Sequence, residues 1–251
     1  SQNSVAVADN VAYWFGKDKF YMYDGGVKVL PCNVKRYIFD DINRDNIQQI
    51  FGSTNEGFDE IWWFYPSASS NTNDRYVVYN YVQQIWYYGT LSRTAWLDSG
   101  IRDFPLAATN SNNLVQHEVG LDDAETGTTA AITASITSAQ FDLDDGHKFM
   151  LVSRMIPDVT FDGSTADSPV VSMSLSALQN SGSGFNDPLS ESGNSGGSVT
   201  RTATSPVEEF TEQIFLRVRG RQVSFKVEST AQGVTWQLGS PRIDMRPDGR
   251  R

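Results

Sequence analysis

Lys19-Phe20-Tyr21-Met22-Tyr23-Asp24-Gly25-Gly26-Val27-Lys28-Val29-Leu30 is the stretch that decides the fold. Two runs rich in aromatic and β-branched residues flank Asp24-Gly25-Gly26, and Gly and Asp tolerate the positive φ that a tight hairpin turn requires. Just upstream, Ala12-Tyr13-Trp14-Phe15 joins the pair through Gly16-Lys17-Asp18, so residues 11–32 read as a three-stranded β-meander. The pattern returns as Asp59-Glu60-Ile61-Trp62-Trp63-Phe64-Tyr65, then Arg75-Tyr76-Val77-Val78-Tyr79-Asn80-Tyr81, then Ile85-Trp86-Tyr87-Tyr88-Gly89-Thr90. Trp14 and Trp63 are 49 residues apart and Asp24 and Asn80 are 56 apart, the difference falling in a Ser/Asn loop at 67–74. That spacing suits propeller blades. Two blades cannot close a ring, so the reading calls for blades preceding Ser1 in a longer polypeptide or for partner chains that complete the stack. A first residue other than Met fits processing, truncation or a start inside a longer chain.

Between the copies, Ile38, Phe39, Ile42, Ile47 and Ile50 are spaced for one or two short helices within 34–51 rather than for a strand. From about residue 121 the texture changes. Ile132, Ala134 and Ile136 share one strand face, and the apolar run Phe149-Met150-Leu151-Val152 predicts a strand buried on both sides. Val171, Met173 and Leu175 alternate with Ser172, Ser174 and Ser176, giving one apolar and one hydroxyl-lined face. Residues 180–198 are Gly/Ser/Asn-rich and read as a long loop. Leu216 and Val218 alternate with Arg217, Arg219 and Arg221, while Val223, Phe225 and Val227 continue in the opposite parity, so Gly220 marks a bulge or turn. Val234–Leu238 closes the pattern before a polar tail, Arg246–Arg251. The expected architecture is all-β: residues 1–120 as propeller-type blades with a short helical insert, and residues 121–251 as a β-sandwich, jelly-roll-like, of about seven or eight strands.

Composition narrows the function. Hydrophobic residues make up 39% of the 251, with 6 Trp, 10 Tyr and 14 Phe, which is enough for packed cores and too much for a disordered chain. A net charge of −10 argues against a general nucleic-acid coat. The charge is uneven, however. Residues 217–251 hold 8 Lys/Arg against 3 Asp/Glu, leaving −15 on the preceding 216. Such polarity favours head-to-tail packing of identical subunits, and alternatively lines a passage for DNA, which makes Arg217, Arg219, Arg221, Arg250 and Arg251 the candidate contact residues. The single cysteine, Cys32, sits in an apolar context and reads as a buried inert thiol. No apolar run approaches the ~20 residues that span a bilayer.

No catalytic or metal-binding motif emerges. Asp142-Leu143-Asp144-Asp145-Gly146-His147 misses the EF-hand spacing and reads as a solvated turn, with a weak cation site as the minority reading. His117 and His147 lie in no nucleophile motif. Asp40-Asp41 and Asp122-Asp123 are adjacent pairs better suited to turns than to glycoside hydrolysis. Tyr79, Tyr81, Tyr87 and Tyr88 offer stacking surfaces for sugars, but blade cores and interfaces need such rings too. Neither a phosphate-cradling loop nor a dinucleotide fingerprint is present, and no cofactor is expected.

Several of these runs resemble structural proteins of short-tailed bacteriophages: Lys19–Gly25, Glu60–Pro66, Asn73–Asn80, Arg93-Thr94-Ala95-Trp96, Arg217-Val218-Arg219-Gly220-Arg221-Gln222 and the closing Gly239–Arg251. The nearest likeness is the packaged-DNA stabilisation, or tail hub and nozzle, group. That resemblance implies a non-enzymatic virion subunit, assembled in the host cytoplasm and repeated as a sixfold ring beneath a portal or adaptor. Such a ring would retain the genome and conduct it outward, touching DNA transiently and no membrane. Two other readings stand beside it: a carbohydrate-binding or receptor-recognition module of a phage tail, and a glycoside hydrolase or lyase fragment.

Overall fold

Antiparallel strands are the dominant element among the described residues, with only short helical turns beside them, as an all-β reading requires. The computed structural model describes residues 1–100, 102–178 and 199–249, and the chain divides into two units, Ser1–Val119 and Gly120–Arg251.

In the first unit, β1 (Val5–Ala8), β2 (Val11–Phe15), β3 (Phe20–Tyr23) and β4 (Val27–Leu30) form a four-stranded antiparallel meander. Helix α1 (Lys35–Asp41) and a 3-10 turn over Arg44–Gln49 follow, the short helices that the isoleucine spacing predicts. β5 (Phe51–Asn55), β6 (Glu60–Tyr65), β7 (Arg75–Asn80) and β8 (Ile85–Thr90) repeat the meander. β9 (Ala95–Leu97), β10 (Leu106–Ala108) and β11 (Leu114–Gln116) make a third, smaller sheet. Each meander therefore has four strands where the sequence predicted three, the additions being β1 and β5. A closed propeller ring is not present among the described residues.

The three sheets are layered. Tyr13, Phe15, Phe20 and Leu30 of the first sheet meet Ile61, Trp63, Tyr65 and Val77 of the second, with Tyr37, Ile38 and Phe39 of α1 completing the cluster. On the opposite face of the second sheet, Trp62, Phe64 and Val78 pack with Trp96 of β9, whose indole stacks on Trp62 at 5.2 Å. The unbroken run Ile61-Trp62-Trp63-Phe64-Tyr65 is buried throughout because β6 lies in the middle layer. The Trp63 indole N–H donates to the Ser4 carbonyl at 2.8 Å. Gly52 permits that approach, since a Cβ there would stand 2.7 Å from the same oxygen and 3.0 Å from the indole.

The second unit begins with β12 (Asp122–Asp123) and β13 (Ala130–Ala131), followed by β14 (Ala134–Thr137) and β15 (Phe141–Asp142). β16 (Met150–Ile156), β17 (Val159–Thr160), β18 (Val170–Leu178) and β19 (Val199–Glu208) come next. β20 (Ile214–Gly220), β21 (Gln222–Ser229), β22 (Gln237–Leu238) and β23 (Arg242–Pro247) complete it. One sheet runs β14-β21-β18-β19, with β15 also on β21, and a second runs β20-β16-β23. Met150, Val152, Met155, Ile214 and Val218 of the smaller sheet meet Val171, Met173, Leu175, Val223, Phe225 and Val227 of the larger, which makes a β-sandwich. Val171, Met173 and Leu175 point inward as their alternation predicts, and on the other face the Ser174 and Thr204 hydroxyls pair at 2.8 Å. At Gly220 the chain leaves one sheet for the other. A Cβ there would lie 2.9 Å from both the Ala177 Cβ and the Leu178 carbonyl, so the corner closes only around glycine.

Three sequence expectations need correction. Arg246 and Pro247 belong to β23, an edge strand paired with β16, and not to a polar tail. Cys32 is only half-buried. Asp40 and Asp41 lie on α1 rather than in a turn, and pair with Arg36 and Arg75. Ile136 on the edge strand β14 pairs with Val227 and so lies on the core side of the larger sheet, but at its rim, where Ile132 and Ile136 stay about half exposed. The Gly/Ser/Asn-rich stretch at 180–198 lies outside the described residues. No helix among the described residues is long and apolar enough to cross a membrane.

Candidate functional site

The arginines of β20 follow from its alternation. Ile214, Val218 and Gly220 are buried, which turns Phe215, Arg217 and Arg219 to the exposed face of the three-stranded sheet. On β16 the register shifts between Val152 and Arg154. That bulge lets Val152 and Met155 both point inward while Arg154 joins the outer face opposite Phe215. β23 contributes Arg242, Asp244 and Arg246 to the same face, with Arg246 across from Leu151 and Asp244 across from Arg154.

Five guanidinium groups, of Arg154, Arg217, Arg219, Arg242 and Arg246, thus share one exposed sheet face. Arg154 pairs with Asp244 at 2.7 Å and Arg219 with Asp248 at 2.6 Å. Arg219 also lies over the Phe149 ring, 4.3 Å from its centroid. Arg217, Arg242 and Arg246 have no acidic partner among the described residues. Arg221 sits at the corner between the two sheets, half-buried, with its guanidinium 5.1 Å from the same Phe149 ring that Arg219 covers. Arg250 and Arg251 lie outside the described residues. Of the candidates read from sequence, Arg217 and Arg219 share the exposed face and Arg221 meets Arg219 at the Phe149 ring, while Arg154, Arg242 and Arg246 were missed. The alternation of Arg242, Asp244 and Arg246 with Ile243 and Met245 is the signal that marks β23 as a strand.

A second polar cluster lies in the first unit. The buried Glu60 carboxylate accepts the Trp62 indole N–H at 2.7 Å, the Asn55 amide at 3.2 Å and the Tyr87 hydroxyl. The same Asn55 amide donates to Glu118 at 3.3 Å. Burial pushes the Glu60 carboxyl above the ordinary range, against the lowering effect of its Trp62 and Asn55 hydrogen bonds, and the nearby Glu118 and Asp59 charges add to the rise. Glu118 is raised too, by partial withdrawal of its carboxyl from water, although the residue as a whole is exposed. Three donors occupy Glu60, so this pair is a packing device. One cavity, of about 470 Å³, is lined by Leu121, Ile132, Ile136, Val234 and Trp236 among others and by no carboxylate. A smaller one, about 280 Å³, carries a single acid, Asp103.

The remaining candidates are absorbed by the fold. Asp122 accepts the Gly233 backbone N–H from β12. His117 accepts from Arg93 at 2.8 Å and packs against Trp96 at a tilt, ring centroids 4.5 Å apart. Residues 143–146 form a turn, with Asp144 at φ 57 and Gly146 at φ 72, and no group of three potential metal ligands occurs among the described residues. Tyr79 is buried, Tyr87 is bonded to Glu60, Tyr81 donates to Asp59, and Tyr88 stacks on Tyr37 at 3.9 Å. No protein-family model and no curated protein matches the chain.

Proposed function

We propose that the chain is a structural component of a bacteriophage virion, a tail hub or nozzle subunit repeated around an axis as a ring that retains and conducts packaged DNA. The observation that carries this reading is the arginine face: five guanidinium groups on one exposed sheet of a chain with a net charge of −10. Exposed ion pairs contribute only about 0–1 kcal/mol each to folding, so the two aspartates do little for stability. Repulsion among the unpaired arginines works against it. A polyanion relieves that repulsion, and because phosphate contacts weaken steeply with salt they suit a surface past which DNA slides.

The resemblance of the aromatic meanders to tail proteins supports the same reading, with a portal or adaptor as neighbour and assembly in the host cytoplasm. The Glu60 carboxylate is taken up by three donors, and the cavities beside Trp236 and Asp103 do not bring two carboxylates together, so none of these places supports a hydrolase. The test is to label purified particles with a gold-tagged antibody and image them. A ring of label at one tail vertex is the expected result. Absence from particles, or label scattered over the capsid, overturns the proposal.

A further inference from the structure

The layering of the first unit leaves two apolar sheet faces open. On the first sheet the outward rows are Val5, Trp14, Tyr21 and Val29, then Val7, Ala12, Tyr23 and Val27. All eight are apolar or aromatic, Trp14 and Tyr21 stack at 5.4 Å, and Val7 and Val27 are 58% and 67% exposed. At the other end of the stack, the outward face of the β9–β11 sheet presents the rows Leu97, Leu106 and Gln116, then Ala95, Ala108 and Leu114, apolar but for Gln116 at its rim, with Leu97 at 57% and Leu114 at 72% exposure.

We infer that these two faces bind each other between copies of the chain, the Val/Tyr face of one seated on the Leu/Ala face of the next. Within a chain the second sheet is covered on both sides by the same kind of face-to-face packing, so a neighbouring copy continues a stack that the chain already contains. No side chain of the eight is ionised at neutral pH, and the charges bordering the Leu/Ala face beside Leu106 and Gln116 are of opposite sign, Arg102 and Asp103. Five of the eight residues of the Val/Tyr face, Val5, Val7, Tyr23, Val27 and Val29, are 48–67% exposed, a contiguous apolar patch of the kind that marks an interaction surface on a soluble protein. Two different faces meeting make a heterologous contact, which generates a ring when its rotation closes. The inference rests on the ring-subunit reading and supplies its contact surfaces.

The test is a charge swap on exposed positions, read by sedimentation velocity and negative-stain images of the full chain, with circular dichroism to verify folding. Val7→Lys with Val27→Lys modifies one face, and Leu97→Glu with Leu114→Glu the other. Wild type should form a cyclic oligomer at micromolar concentration, each double variant alone should weaken association about 100-fold, and an equimolar mixture should restore it, because lysines then face glutamates. If both variants keep the wild-type oligomer, the face assignment fails and the ring stands. If one variant alone forms stable dimers, the head-to-tail pairing is wrong. Wild type that stays monomeric overturns the ring as well.

Discussion

Leu175→Ala should destabilise the sandwich by about 4 kcal/mol. Leu175 is fully buried on β18, which is hydrogen-bonded to β19 on one side and β21 on the other, with Ala203 and Phe225 as its cross-strand neighbours. Losing three carbons removes about 2.4 kcal/mol of transfer free energy at ~0.8 kcal/mol each. The cavity term adds to that, and it stays near its upper range because a strand pinned on both edges cannot collapse into the gap. For a unit of this size, ~4 kcal/mol corresponds to a fall of roughly 12 °C in the melting temperature. Calorimetry measures it, and fluorescence tells the units apart. Five of the six tryptophans (Trp14, Trp62, Trp63, Trp86 and Trp96) lie in the first unit and only Trp236 in the second. The sandwich transition should move while the bulk of the tryptophan emission keeps its midpoint. A shift under about 3 °C, or emission that moves in step with the calorimetric peak, would refute the reasoning.

Other perturbations test other parts. Gly220→Ala should cost about 1–3 kcal/mol by forcing apart the corner between the two sheets, and an unchanged urea midpoint would show that the corner relaxes freely. Glu60 and Glu118 both have raised carboxyl pKa values, so the folded first unit holds protons that the unfolded chain releases. Their contribution is fully present below the ordinary carboxylate value of 4.5 and is lost as pH rises through the folded values. The stability of wild type relative to Glu60→Gln, from denaturation at pH 4, 5, 6 and 7, should therefore decline across that series; a constant difference would contradict it. The Cys32 thiol, pushed up to about 12 by burial, should react slowly with a thiol reagent at pH 8 until the chain is unfolded. Immediate modification of the native protein would be the contrary result. Replacing Arg217, Arg242 and Arg246 by Ala should flatten the salt dependence of duplex binding by up to about 0.9 for each phosphate no longer neutralised, and an unaltered slope would place the DNA surface elsewhere.

The strands bounded by strong turn residues were legible in the sequence. β2, β3 and β4 are punctuated by Gly16-Lys17-Asp18 and Asp24-Gly25-Gly26, and β18 carries its own two-residue period. β1 was not, since Val-Ala-Val-Ala has no polar alternation to set a face. β5, Phe51-Gly52-Ser53-Thr54-Asn55, has one apolar residue and exists because β6 offers it an edge. The strands of β9–β11 are three residues each, too short for any period to register. The arginine face was half legible. Arg217 and Arg219 declare themselves by alternation, whereas Arg154 reaches that face only through a bulge, whose position depends on register with both neighbours. The bond from Asn55 to Glu118 spans 63 residues and leaves no local trace.

The pairing of β16 with β23 also sets a timetable for synthesis. Arg154 and Asp244 are 90 residues apart, which at ~5–20 residues per second means that β16 emerges roughly 5–18 s before its partner. For that interval Met150, Leu151 and Val152 present an apolar edge with unmet backbone donors and acceptors, a template for pairing with the wrong chain. Ribosomes spaced closely on one message would bring such edges together, so slowing initiation should raise the yield of correctly folded protein more than slowing elongation.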